Sequence, residues 1–199
     1  MRFDPGYLFG MALQTVPEPR KVARDLFDLN LPREVLWTAL ALVVVVNAAL
    51  GVLAGLLYPL DPAQMGTILS SPVLLGVIEA VFMFGMAWGI YAIGRMFGGQ
   101  GDLSEAIITV VWMEFIFLML QALTLVLTYF APGLAAILML ASVALFFWVL
   151  SHFTAESHGF GSTGLVFASI LGFMILAVIA LSFILVVLGV EPVPMTLPN

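Results

Sequence analysis

Five runs of more than twenty predominantly apolar residues, parted by short clusters of Pro, Gly, Ser and Asp, leave this chain few ways to fold. Crossing the ~30 Å hydrocarbon core of a bilayer takes about 20 residues of helix. In lipid, each backbone N–H and C=O of such a run is satisfied within its own helix. The runs therefore predict an all-α, polytopic integral membrane protein with spans at about 35–57, 73–96, 105–130, 134–154 and 164–188. Tyr58, Pro59, Asp61 and Pro62 close the first, and Ser70, Ser71 and Pro72 open the second. Gly98, Gly99, Gly101 and Asp102 form a short loop before the third, which Ala131, Pro132 and Gly133 close. Glu156, His158, Gly159 and Gly161 lie between the fourth and fifth, and Glu191, Pro192, Pro194 and Pro198 place 189–199 outside any helix.

Composition agrees: 63% of residues are hydrophobic and 9% charged, against about a quarter charged in an ordinary soluble domain. Soluble enzyme folds are excluded first. The absence of cysteine removes thiol nucleophiles, iron–sulfur clusters and Cys-type zinc sites. No connection is long enough for a folded domain outside the membrane, so function is expected in or on the bilayer.

Orientation follows Lys and Arg rather than net charge. Arg2, Arg20, Lys21, Arg24 and Arg33 precede the first span, and the sixth basic residue, Arg95, ends the second. Segments 58–72, 131–133 and 189–199 contain none. This predicts a cytoplasmic amino terminus and an external carboxyl terminus, with the first apolar run retained as a span rather than cleaved as a signal peptide. Residues 1–34 form a cytoplasmic or interfacial lead-in, with helical pieces over 5–29 broken near Pro17 and Pro19. Val22, Leu26 and Leu29 recur at helical spacing opposite Arg20, Lys21 and Arg24. That pattern suits an interfacial anchor near anionic headgroups, or simply a basic segment that fixes topology.

Ionisable groups inside spans are costly and mark candidate sites. Glu79 and Glu114 qualify, and Asn47 and Ser142 fall near the same level, so four spans place a polar group in a slab less than ~10 Å deep. No Lys or Arg lies deep enough to pair with either glutamate, which leaves protonation, a mobile cation or water. Interhelical hydrogen bonding with Asn47, Gln121 or backbone carbonyls is one reading; a proton or cation pathway past Glu79 and Glu114 is a second, and an interaction surface for another membrane protein a third. Gly51 and Gly55, and Gly85 and Gly89, each stand four apart and form small patches where a helix can approach closely. They suit packing of the first two spans on each other or contact with a second copy.

Other motifs carry little. Gly98, Gly99 and Gly101 lack the Lys-Ser/Thr of a phosphate loop. His152, Glu156 and His158 lack a further close ligand for a metal, and both histidines are expected at the surface. Trp37, Trp88, Trp112 and Trp148 read as packing or interface residues. The chain predicts no cofactor, no metal, no enzymatic activity and no nucleic-acid partner.

The stretch Arg95-Met96-Phe97-Gly98-Gly99-Gln100-Gly101-Asp102-Leu103-Ser104-Glu105-Ala106, opening a span that continues through Trp112, resembles the loop between the second and third spans of the Yip family. Trp148 to Leu171, with Ala155-Glu156-Ser157-His158-Gly159-Phe160 entering a last span rich in small residues, is similar to a later loop of its bacterial members. These are five-span proteins named for interaction with Ypt/Rab GTPases. The resemblance implies a non-enzymatic protein of the bacterial inner membrane that organises or assembles membrane through lipid and other integral membrane proteins, itself included. The Asp-Leu-Tyr-Gly-Pro motif of the eukaryotic branch is absent, so no Rab-type GTPase is implied. Bacterial members often carry a proline early in the third span where this chain reads Trp112-Met113-Glu114-Phe115, so Glu114 is not part of the family pattern.

Overall fold

A computed structural model describes residues 4–58 and 71–187. Seven helices account for nearly all of them: α1 (Pro5–Gln14), α2 (Pro19–Phe27), α3 (Arg33–Leu57), α4 (Pro72–Met96), α5 (Leu103–Phe130), α6 (Pro132–His158) and α7 (Thr163–Val187). Helices α3 to α7 are each long and apolar enough to cross a membrane, so the polytopic all-α expectation holds. The expected end of the last span at Leu188 and the tail 189–199 lie outside the described residues.

The helix ends have local causes. Ser71 accepts a hydrogen bond from Leu74 N–H at 3.3 Å, with Pro72 at the first helical position, where its missing donor costs nothing. Asp102 and Glu105 form a reciprocal capping box at the start of α5. Helices α4 and α6 end alike, in a left-handed glycine that lets the chain reverse. After α4 it is Gly98 (φ 83°), with Gly99 N–H reaching Gly94 C=O at 2.9 Å; after α6 it is Gly159 (φ 69°), with Phe160 N–H reaching Ala155 C=O at 2.8 Å.

Helix α6 thus extends four residues beyond its expected end at Thr154, and Glu156 and His158 stand on its last turn rather than in a loop. The 28 residues of α5 and 27 of α6 make rods of about 40 Å, roughly 10 Å more than the hydrocarbon core requires. The surplus is used at one end. Helix α3 packs on α4 and α5, and α5 on α4 and α6, while α2 lies across α5 and α6. Most of the best-buried residues gather in that half: Ala106, Val110 and Met113 of α5, Val149 and Phe153 of α6, Ala87 of α4, and Val22 and Ala23 of α2. We call this the capped end. Towards the other end the spans are exposed and apolar, with Leu140 75% and Phe130 77% accessible, the surface a bilayer covers.

Pro19, Val22, Ala23 and Leu26 of α2 are buried, and Phe27 meets Phe153 edge to face at 6.2 Å. The apolar face read as an interfacial anchor is therefore turned onto α5 and α6, because the bundle offers a complementary apolar surface above the membrane level. Helix α7 is the looser element, packing on α6 with no comparable contact to α3, α4 or α5.

Candidate functional site

Helices α3, α4 and α5 pack on one another, and each contributes one polar side chain at their junction. The Asn47 amide donates to Glu79 Oε1 at 2.5 Å and to Glu114 Oε2 at 3.2 Å. A carboxamide nitrogen carries two hydrogens, so one side chain on α3 serves a carboxylate on each neighbour. All three residues are half-buried. Ser142 stands apart: its hydroxyl turns back to Leu138 C=O at 2.8 Å within α6. The expected slab is thus a cluster of three, with the fourth span outside it.

The two family-like loops come together at the capped end around His158. Its side chain is 2% exposed, which corrects the expectation of a surface histidine; the extra turn of α6 carries it beneath the loop that follows α4. Gly101 N–H donates to His158 Nδ1 at 3.1 Å, and His158 Nε2 lies 3.0 Å from Ile90 C=O. An acceptor at Nδ1 and a donor at Nε2 define the neutral Nε2–H tautomer. Gln100 N–H reaches His158 C=O at 3.3 Å, and Phe160 stacks on the ring at 5.5 Å. A Cβ placed on Gly94, Gly99 or Gly101 would overlap this imidazole. The glycines thus do more than make a turn: they clear a socket for the ring.

Around the socket the charged groups are ordered too. Ser157 Oγ donates to Glu105 Oε2 at 3.0 Å, tying the end of α6 to the capping box of α5. Glu156 Oε1 accepts from Arg24 Nε at 2.9 Å and Nη2 at 2.7 Å, and Arg20 Nη2 donates to Phe160 C=O at 2.6 Å. Hydrogen bonding to Glu156, then its charge, raises the Arg24 pKa. Two of the basic residues expected to face lipid headgroups are thus engaged with α6 and the residue beyond it. Lys21 pairs with Glu18 at 3.1 Å instead. Gln14, by hydrogen bond, and then Lys21 hold the Glu18 carboxyl below its usual range.

Two indoles hold the corner between α1 and α2. Trp112 Nε1–H donates to Thr15 Oγ1 at 3.0 Å and Trp148 Nε1–H to Val16 C=O at 3.1 Å, and Thr15 is fully buried. His152, Glu156 and His158 do not form a ligand set: His152 Nδ1 bonds Trp148 C=O at 2.7 Å, while the others are engaged as above. Gly51, Gly55, Gly85 and Gly89 meet no neighbour, since an added Cβ would find nothing within 4 Å of any of them. Gly51 and Gly55 open to the outside of α3; Gly85 and Gly89 line a groove beside α7.

Sequence reasoning missed the His158 socket, the Trp112–Thr15 bond and the pairing of Arg24 with Glu156. The first had a visible signal, glycine at 94, 99 and 101; the other two join residues 97 and 132 positions apart and had none.

Five apolar spans and a packed cap at one end define a polytopic all-α membrane protein. The chain belongs to the Yip1 family: the Yip1 domain model matches residues 13–185, from the end of α1 to the last turn of α7. No match was found among curated proteins or among solved structures.

Proposed function

We propose that this protein is a non-enzymatic organiser of its membrane, acting through contacts with lipid and with other integral membrane proteins or further copies of itself. The observation that carries this reading is the distribution of burial. The cap is packed and hydrogen-bonded, whereas the faces of α3, α4 and α7 towards the bilayer are open, with Gly51 and Gly55 leaving room for another helix. In a bilayer, association depends on close packing rather than hydrophobic drive, and small residues permit it. Cross-linking in native membranes tests this. Wild type should yield discrete adducts, which Gly51→Ile with Gly55→Ile removes at unchanged thermal stability; adducts insensitive to those changes would exclude that face.

We place the capped end in the bacterial cytoplasm and the carboxyl terminus outside. Arg20, Lys21, Arg24, Arg33 and Arg95 all stand at that end, the side on which basic residues are retained.

One observation favours a second reading, conduction of protons or cations: a single amide joins two carboxylates from different spans. Liposomes holding a pH dye separate the two. A flux under imposed potential that disappears in folded Glu79→Gln with Glu114→Gln supports conduction, and no flux from wild type supports the organising role.

A further inference from the structure

Helix α1 is apolar on both of its faces. Between Asp4 and Glu18 the chain carries no charged residue. One face, with Met11, Ala12 and Thr15, is buried. Phe9, Leu13 and Val16 follow at helical spacing on the other, with Tyr7 at its far margin. These four are exposed, Leu13 at 61%. Helix α1 packs on α2 and makes no comparable contact with any span. A helix apolar all round is stable where both faces are covered. Single exposed apolar residues are ordinary, whereas a continuous face of them is a surface for something else.

The level at which α1 is held identifies what covers that face. Two indoles fix the corner after it, Trp112 bonding Thr15 and Trp148 bonding Val16. Trp112 stands nine residues after the first of α5, and Trp148 ten before the last of α6. At ~1.5 Å per residue the corner is therefore about 14–15 Å below the capped tips. The two rods exceed the hydrocarbon core by roughly 10 Å at that end. The corner thus lies a few ångströms inside the acyl boundary, close to the ~5–10 Å at which interfacial helices rest. Val16 is also continuous with the lipid-facing belt, sharing a shallow apolar groove with Leu120, Leu138, Leu145 and Trp148. Tyr7 and Trp148, both exposed, are the residue types that favour this boundary. Charge returns just beyond it, where Glu18 pairs with Lys21.

We propose that α1 is embedded in the lipid leaflet at the capped end, its outer face of Tyr7, Phe9, Leu13 and Val16 covered by acyl chains. The assignment deepens the lipid half of the proposed function and rests on it. A soluble partner does not reach a face at this level. Because α1 has no basic residue, it holds lipid by apolar area and not by headgroup charge, unlike the anchor expected of α2. A helix at this depth takes up area in one leaflet alone, which gives the chain a means of ordering lipid without a protein partner.

The chain contains no cysteine, so a nitroxide on single-cysteine variants of the full chain reads each environment directly. The variants are placed in liposomes of dioleoyl phosphatidylcholine, with or without dioleoyl phosphatidylglycerol. Collision with oxygen, which collects among acyl chains, is compared with collision with an aqueous nickel chelate. Labels at Phe9→Cys and Leu13→Cys should favour oxygen as does a label at Leu140→Cys, on the accessible apolar part of α6. Their oxygen-to-nickel ratio should exceed severalfold that at Asp25→Cys, exposed on α2, and should be the same in both liposomes. Tyr7→Cys serves if either variant fails to fold by thermal unfolding. Nickel access at Phe9→Cys and Leu13→Cys equal to that at Asp25→Cys, with Leu140→Cys still in lipid, overturns the proposal and leaves the organising role through protein contacts standing. Low collision with both reagents would mean that protein covers the face, and overturns it too. Nickel access at Leu140→Cys as well would undo the membrane placement on which this proposal and the proposed function both rest.

Discussion

Asn47 has two amide hydrogens and two carboxylates to receive them, one on each neighbouring helix. Interhelical hydrogen bonds within bilayers average ~0.6 kcal/mol and reach ~1.7. A double-mutant cycle of Asn47→Ala and Glu79→Gln, followed by unfolding in bicelles, should therefore give a coupling of about 0.6–1.7 kcal/mol. Ser142→Ala, whose hydroxyl bonds its own helix, should show no coupling to Asn47. At the other polar centre the limiting factor is space. Gly101→Ala would drive a methyl group into Ser157 and the His158 ring, and overpacking a fixed site costs about 1–3 kcal/mol. Gly133→Ala, with open space around it, should be tolerated in the same unfolding assay. His158→Phe keeps an aromatic ring but strips the Gly101 N–H of its acceptor, a loss of about 1–3 kcal/mol.

Helix α2 is held to α5 and α6 by two kinds of contact of unequal worth. Arg24 is 63% exposed where it meets Glu156, and ion pairs of that accessibility contribute little, because water screens them. Val22 and Ala23, at 0% exposure, contribute more, since burying an aliphatic side chain is worth about 1.5–3 kcal/mol. Limited proteolysis in the connection between Asp28 and Pro32 should thus be hastened strongly by Val22→Asp and only slightly by Glu156→Ala. Equal acceleration by both would mean that charge, not packing, docks the helix. The reversal after α6 depends on Gly159 at φ 69°, and placing a Cβ in the left-handed region costs about 1–2 kcal/mol. Gly159→Ala should lower stability by that amount and loosen the His158 socket, read as faster amide exchange at Gly101.

At the scale of the whole molecule, the cap concentrates order at one end and leaves the spans as apolar rods. If that end lies in the cytoplasm, alkaline phosphatase fused within 98–103 should be silent and phosphatase fused after Asn199 active. The reverse pair would invert the assignment. Hydropathy and turn residues were enough to read five spans, because a bilayer selects on segment length and apolarity, both local properties of a sequence. The same local logic exposed Glu79, Glu114 and Asn47, since a polar group in lipid is conspicuous wherever it faces.

Local properties do not fix azimuth, and there the tertiary structure decided. Rotation of α3, α4 and α5 about their axes brings Asn47 between the two glutamates and leaves Ser142 outside. Likewise Val22 and Leu26 form an apolar stripe that suits lipid or protein equally. Only the surplus length of α5 and α6 beyond the bilayer provided the protein surface that took it. Gly99 and Gly101 look like a flexible loop, and Gly94 like any small residue of a span, until His158, about sixty positions away, is packed among them. Composition and period thus determined which segments cross the membrane; side-chain direction and long-range packing determined which polar groups meet, because those depend on how whole helices dock.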